Sequence, residues 1–173
     1  MTQPPGYCPA CGTAMQPQAL DGRVRAVCPA CAHVAWGNAR PCAGALVVRN
    51  GKVLLVRRAV EPFQGEWDIP GGFCEQDEHP AHTAVREVRE ETGLDIELTA
   101  LFGLWMDDYQ GHYTLNVYYL ARPLGGSLRV GDDADGAAWF APDALPARIA
   151  FENGRAVLRA WAAGSDLPLH LRG

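Results

Sequence analysis

The sequence predicts an α/β domain preceded by a small cysteine-rich module, and three observations carry that expectation. First, composition changes near residue 40: residues 1–36 are short of large aliphatics and rich in Cys, Pro, Gly and Ala. Second, four of the six cysteines fall in two CPxC pairs, Cys8/Cys11 and Cys28/Cys31, with sixteen residues between the pairs. Third, β-branched runs then alternate with a segment carrying helix start and stop signals. A chain of 173 residues suits one domain plus a module. The expected boundaries are 1–37 for the module and 38–173 for the α/β domain.

The module cannot build an apolar core of its own. One tetrahedral Zn²⁺ on Cys8, Cys11, Cys28 and Cys31 would supply the missing stability, with one pair on each of two turns. Arg23–Val27 between them reads as part of a hairpin. Two separate CxxC redox motifs are the alternative, which the ribbon-like spacing of two pairs disfavours. Cys42 and Cys74 stand alone and read as small buried apolar residues.

From residue 42 the elements follow in order. Cys42–Arg49 and Lys52–Arg58 are apolar, β-branched runs flanking Asn50-Gly51, the strongest short hairpin signal. Glu61–Trp67 is a loop, and Ile69-Pro70-Gly71-Gly72 ends a strand in a tight turn. Pro80 fits the first turn of a helix, where its missing N–H costs nothing. That helix runs to about Thr92 and stops at Gly93. Leu94–Met106 and Tyr113–Ala121 are strands, Gly125–Gly136 a Gly- and Asp-rich loop, Ala138–Phe140 a short strand and Phe151–Ala162 a closing helix.

Charge and hydropathy narrow the classes. A net charge of −5 argues against a general nucleic-acid or anionic-membrane binder. Residues 1–36 hold only Arg23 and Arg25 against Asp21, a poor footprint for nucleic acid. The polar, proline-containing N-terminus does not read as a secretory leader, and the longest apolar run, Cys42–Val48, is too short to span a bilayer. The expectation is a cytoplasmic protein.

The stretch "REVREETGL", residues 86–94, is the most informative. Positions i, i+3 and i+4 share a helical face, so Glu87, Glu90 and Glu91 project together beside a stripe of Ala81, Ala84, Val85 and Val88. Three like charges on one face repel unless hard divalent cations such as Mg²⁺ sit among them. A solvated acidic face is the bland alternative. Reading outward gives Gly72, five residues, Glu78, seven residues, then Arg86-Glu87-Val88-Arg89-Glu90-Glu91-Thr92-Gly93-Leu94.

This pattern matches, at nine fixed positions over 23 residues, the Nudix box G-x5-E-x7-R-E-U-x-E-E-x-G-U, with U a bulky aliphatic. The chain resembles a Nudix hydrolase over about residues 40–160, and residues 1–36 resemble the zinc ribbons that precede some hydrolase domains. The resemblance implies a Nudix α/β/α sandwich with a mixed sheet. It implies Mg²⁺ or Mn²⁺ held by Glu87, Glu90, Glu91 and the Gly72 carbonyl, Arg86 orienting Glu87, a structural role or an indirect metal contact for Glu78, and a structural role for Gly93. It also implies hydrolysis of a nucleoside diphosphate linked to a group X. The general base varies in the family, sometimes a box glutamate and sometimes an acid on a later loop, where Asp132, Asp133 and Asp135 are the candidates here, Asp133 first. An Asp-rich turn is the alternative there.

The stretches "VRRAVEPFQGEWDIPGGF" and "WFAPDALPARIAFENG" are similar to those of the ADP-ribose/FAD pyrophosphatases. NADH and NAD-capped RNA pyrophosphatases carry S-Q-P-W-P-F-P-x-S after the box, where this chain has "ALFGLWMDDYQGHYTL". ADP-ribose or FAD is therefore the expected substrate, an NADH or NAD-capped RNA substrate the alternative, and a non-catalytic ligand sensor a third reading. Phe63, Phe73, Trp105 and Tyr109, with His112 and Tyr113, are candidates to stack on adenine. For each one taken singly, a core or strand role is the stronger reading by pattern. A homodimer is expected by resemblance.

Overall fold

The computed structural model describes residues 6–131 and 133–164. They form two compact units. One contains the described residues up to Ala39 together with the hairpin tip Asp108–Tyr113; the other contains Arg40–Asp107 and the described residues from Thr114 onward.

The first unit is a three-stranded antiparallel sheet, β1 (Gln16–Leu20), β2 (Arg23–Val27) and β3 (Val34–Ala35), in that order. Asp21 and Gly22, both at positive φ (49° and 75°), close the β1–β2 hairpin, as a two-residue turn with the twist of its strands requires. The two CPxC turns share one construction. Cys8 N–H donates to the Thr13 carbonyl (2.8 Å) and Gly12 N–H to the Cys8 carbonyl (2.9 Å); Cys28 N–H donates to His33 (2.8 Å) and Ala32 N–H to Cys28 (2.9 Å). Only Cys8, Ala26 and Cys28 are buried in this unit among the described residues.

The second unit contains β4 (Arg40–Arg49), β5 (Lys52–Arg58), β6 (Trp67–Asp68), β7 (Gly71–Phe73), α1 (Pro80–Thr92), all but the shared tip of β8 (Leu94–Tyr109) and β9 (His112–Gly126), β10 (Ala134–Phe140) and α2 (Glu152–Ala162), with a 3₁₀ turn at Pro142–Ala144. The strand order is β10-β5-β4-β9-β8, with β6 on β5 and β7 on β4. β4 runs parallel to β9, from Arg40↔Thr114 to Val47↔Ala121, and antiparallel to β5 and β7. The sheet is therefore mixed.

Period-two alternation sorts the core onto both faces. Ala43, Ala45 and Val47 pack with Leu54 and with Ala84 and Val88 of α1. Leu46, Val53 and Leu55 pack instead with Val157 and Leu158 of α2. A helix on each face of one sheet is the expected α/β/α sandwich. Leu46, Leu54 and Leu55 are fully buried, so truncating one to Ala would cost about 2–5 kcal/mol.

The helix α1 spans the predicted residues. Pro80 stands at N1, His79 caps the end by accepting Ala81 N–H on Nδ1 (3.1 Å), and Gly93 closes it at φ 68° with its N–H on the Arg89 carbonyl (2.9 Å). Asn50-Gly51 forms the predicted turn at φ 52° and 72°. β8 and β9 are longer than expected, because Gln110-Gly111 (φ 52° and 79°) makes a second two-residue turn within a polar stretch that reads as loop. The expected loop 125–136 shrinks correspondingly, since β10 begins at Ala134, paired with Arg58. Among the described residues, no helix is long and apolar enough to cross a membrane.

Candidate active site

The acidic face of α1 is organised by one cation. Arg86 donates from Nε and Nη2 to both Glu78 oxygens (2.9 and 2.8 Å), from Nη1 to Glu87 Oε1 (2.7 Å) and Glu90 Oε2 (3.1 Å), and from Nη2 to the Phe73 carbonyl (3.3 Å). The guanidinium fork thereby offsets the repulsion of three carboxylates. Glu78 also accepts from the Thr83 hydroxyl (2.8 Å). Its hydrogen bonds with Arg86, above all, hold Glu78 down at about 2. Glu78 thus ties the segment before α1 to the helix, while His79 does the capping.

β7 brings glycines against the same carboxylates. A Cβ on Gly72 would lie 2.4 Å from Glu87 Oε1, and one on Gly71 2.6 Å from the Ala43 carbonyl. Gly71 N–H donates to Glu91 Oε2 (3.1 Å). A side chain at Gly71 would strike the β4 backbone, and one at Gly72 would displace the Glu87 carboxylate. The "PGG" tripeptide is therefore a packing requirement of the site. Burial, then the charges of Asp68 and Glu87, push Glu91 up to about 8. Glu87 is also raised, chiefly by burial.

Asp68, on β6, was not anticipated as a site residue. Its side chain is 14% exposed, with Arg58 Nη1 3.6 Å from Oδ2, and Ile69 N–H donates to Oδ1 (2.8 Å). Burial pushes it up to about 7, against the opposing pull of Arg58. A charged residue inside the short apolar run "WDIP" was the available signal.

Arg86, Glu87, Glu90 and Glu91 line one cleft of about 850 Å³ together with Asp133 and Arg129. The loop that closes it is anchored on the helix end: Arg129 N–H donates to the Thr92 carbonyl (2.9 Å) and Gly131 N–H to Glu91 (3.0 Å). Asp133 is exposed. Asp135 is instead ion-paired to Arg57 (2.6 Å), and Asp132 lies outside the described residues. Arg129 was missed because an isolated arginine in a Gly-rich loop has no sequence signature.

The aromatic candidates line none of this cleft. Trp105 stacks on Phe102 (centroids 5.8 Å) and meets Tyr118 edge-on (5.7 Å), packed on the second core cluster. Phe63 is 41% exposed and sits edge-to-face on Phe151 (5.0 Å). Phe73 is exposed on β7 beside Gly72. Tyr109, His112 and Tyr113 belong to the hairpin tip grouped with the first unit.

In the first unit, the sulfurs of Cys8, Cys11, Cys28 and Cys31 all lie within 4.8 Å of one another. Cys8–Cys31, Cys11–Cys28 and Cys11–Cys31 are separated by 3.6, 3.5 and 3.5 Å, and all four cysteines are free. Four thiolates around a tetrahedral Zn²⁺ at about 2.3 Å would stand about 3.8 Å apart, so the donor set fits that ion. The acidic site likewise offers hard oxygens and a glycine cradle, which fit Mg²⁺ or Mn²⁺.

Comparison with known proteins agrees with this geometry. The NUDIX domain model matches residues 38–162, and the Nudix N-terminal zinc-ribbon model matches residues 6–36. An ADP-ribose pyrophosphatase of Methanocaldococcus jannaschii is 35% identical over 111 residues, 62% of this chain and 64% of that protein. The NAD-capped RNA hydrolase NudC of Pseudomonas aeruginosa is 31% identical over 141 residues, 81% of this chain and 49% of the relative. The chain thus spans about half to two thirds of the length of these relatives. A NUDIX hydrolase structure from Nitrosomonas europaea shares the fold at TM-score 0.83 and 24% identity, covering 95% of this chain and 96% of that one. The chain belongs to the Nudix hydrolase family, with the ribbon module at its N-terminal end.

Proposed function

We propose that this protein hydrolyses the pyrophosphate bond of a nucleoside diphosphate linked to a second group, with ADP-ribose or FAD the preferred substrates, giving AMP and a phosphorylated fragment. The observation that carries it is the cleft that gathers Arg86, Glu87, Glu90, Glu91 and Asp133 on one side of α1. The similarity to an ADP-ribose pyrophosphatase and the quoted flanking stretches support the choice of substrate.

Glu87, Glu90 and Glu91, with the Gly72 carbonyl, would hold Mg²⁺ or Mn²⁺, and Cys8, Cys11, Cys28 and Cys31 a structural Zn²⁺. The divalent cations would neutralise diphosphate charge and acidify a bound water. The chain's own residues do the rest. Arg86 fixes the rotamers of Glu87 and Glu90, the Gly71 N–H orients Glu91, and Asp133 accepts the proton of the attacking water at its carboxylate. Such chemistry needs positioning and charge neutralisation rather than a protein nucleophile. The ribbon and the catalytic domain divide at residues 37 and 38, the protein acts in the cytoplasm, and it works as a homodimer.

One observation favours a second reading, NAD-capped RNA or NADH hydrolysis: the match to NudC covers 81% of this chain. The absent S-Q-P-W-P-F-P-x-S stretch weighs against it. A panel of ADP-ribose, FAD, NADH, NAD-capped RNA, sugar nucleotides and oxidised nucleotides with Mg²⁺ or Mn²⁺ separates the two. A tenfold or greater preference for NADH or capped RNA, about 1.4 kcal/mol of transition-state discrimination, would overturn the first reading; no turnover of any substrate would leave the sensor.

A further inference from the structure

We infer that Arg129 is a phosphate-binding residue of the cleft, gripping the diphosphate of the substrate from the loop pinned to the end of α1; this rests on the diphosphate-hydrolase reading above. Among the described residues, three cations line the cleft: Arg86, Arg89 and Arg129. Arg86 is engaged by Glu78, Glu87 and Glu90. Arg89 leans toward Asp95 at 3.6 Å. Among the described residues the Arg129 side chain has no hydrogen bond or ion pair, although four carboxylates line the same cleft. It is the uncommitted cation.

Its placement is built rather than incidental. The backbone at Arg129 is pinned to the last turn of α1 by its N–H on the Thr92 carbonyl. The side-chain stem then lies on Gly93: a Cβ there would come 2.6 Å from Arg129 Cγ and 2.9 Å from Nε, and 2.7 Å from the Ser127 carbonyl. Gly93 therefore does two jobs. Its φ of 68° ends the helix, and its missing side chain leaves room for Arg129 beside Glu90 and Glu91. A guanidinium fork matches the paired oxygens of a phosphate group. Set against an acidic wall, it would draw a diphosphate into the cleft while the carboxylates stay free for cations.

The test uses the full-length protein and α,β-methylene-ADP, whose P–C–P bridge resists hydrolysis, with binding followed by calorimetry in Mg²⁺. Arg129→Gln should weaken binding about tenfold or more, about 1.4 kcal/mol, and Arg129→Lys should recover part of the loss. Arg122→Gln removes the same charge at the exposed pair with Glu97 and should change binding by less than about twofold. On a hydrolysed substrate, Arg129→Gln should raise KM more than it lowers kcat. Equal binding by wild type and Arg129→Gln, an equal loss in Arg122→Gln, or no binding of the analogue by wild type would overturn the inference. Turnover with unchanged Arg129→Gln binding would sink this inference alone. Arg129-dependent binding without turnover of any panel substrate would sink the hydrolase reading alone.

Discussion

The two units of this chain are held together by opposite means. The first buries only Cys8, Ala26 and Cys28 among its described residues, and two of those are sulfur donors. The second buries two clusters of aliphatics, one on each face of a mixed sheet. In the first, polar donor atoms stand where a core would be, and they fit an ion. In the second, the apolar core is complete, so it can carry a crowded acidic site at its edge. The contrast teaches that the same device, ligating side chains brought together, would hold a fold in one unit and load a site in the other.

The sharpest way to break the contrast is to remove metal from the ribbon. Purified protein should hold about one zinc per chain. Chelation, or Cys28→Ser, should abolish amide-exchange protection in β1–β3 while β4–β10 remain protected. Protection surviving in both units without zinc would show that the ribbon needs no ion.

The next largest effect belongs to the acidic site. Glu91→Gln or Glu90→Gln should lower kcat on the order of 10²-fold or more with an unchanged or higher melting temperature, because glutamine puts no charge on the crowded face and, at Glu91, replaces a carboxyl whose charged form burial disfavours. Mg²⁺ should raise the wild-type midpoint with concentration and that of the variants less. Near-normal turnover with an equal Mg²⁺ response in Glu91→Gln would refute the assignment.

Gly72→Ala sharpens the same point through sterics. The added methyl would sit 2.4 Å from Glu87 Oε1. The methyl meets only the end of the Glu87 side chain, so stability should fall by about 1 kcal/mol or less while turnover falls more, read from denaturant melts and kinetics.

A smaller effect should appear with pH. In the fold Asp68 is raised from 3.8 to about 7 and Glu91 from 4.5 to about 8. Between those limits the folded state holds protons that the unfolded chain has released, so stability falls as pH rises through that window. The metal-free protein should melt lower at about pH 8 than at about pH 5. Saturating Mg²⁺ should shrink the difference, since the ion takes the place of the protons. A melting temperature rising with pH in the metal-free protein would contradict it.

The smallest effects separate two neighbouring acids. Asp135→Asn loses an exposed pair with Arg57 and should cost at most about 1 kcal/mol without changing turnover. Asp133→Asn should lower kcat at equal stability. If the two variants behaved alike in kinetics, Asp133 would not be the base.

What the sequence by itself determined is whatever rests on local rules. The limits of α1 follow from Pro80 at N1 and Gly93 at the C-terminal end, because both act through their own φ and their own backbone groups. Asn50-Gly51 made its hairpin for the same reason. The CPxC spacing is local too, since each pair folds its own turn. Tertiary structure decided what depends on residues far apart in the chain. Only the β5–β6 pairing, Val56↔Asp68, sets Asp68 into the sheet near Glu91. Only the β10 ladder turns Asp135 toward Arg57 while Asp133 faces the cleft. Trp105 reads first as a core or strand residue and second as a ligand-stacking ring, and its neighbours Phe102 and Tyr118, which the fold supplies, pack it partly buried against the core. A carboxylate or a ring carries no local mark of its partner. Its environment is set by which strands lie beside it, and strand pairing is a property of the whole sheet.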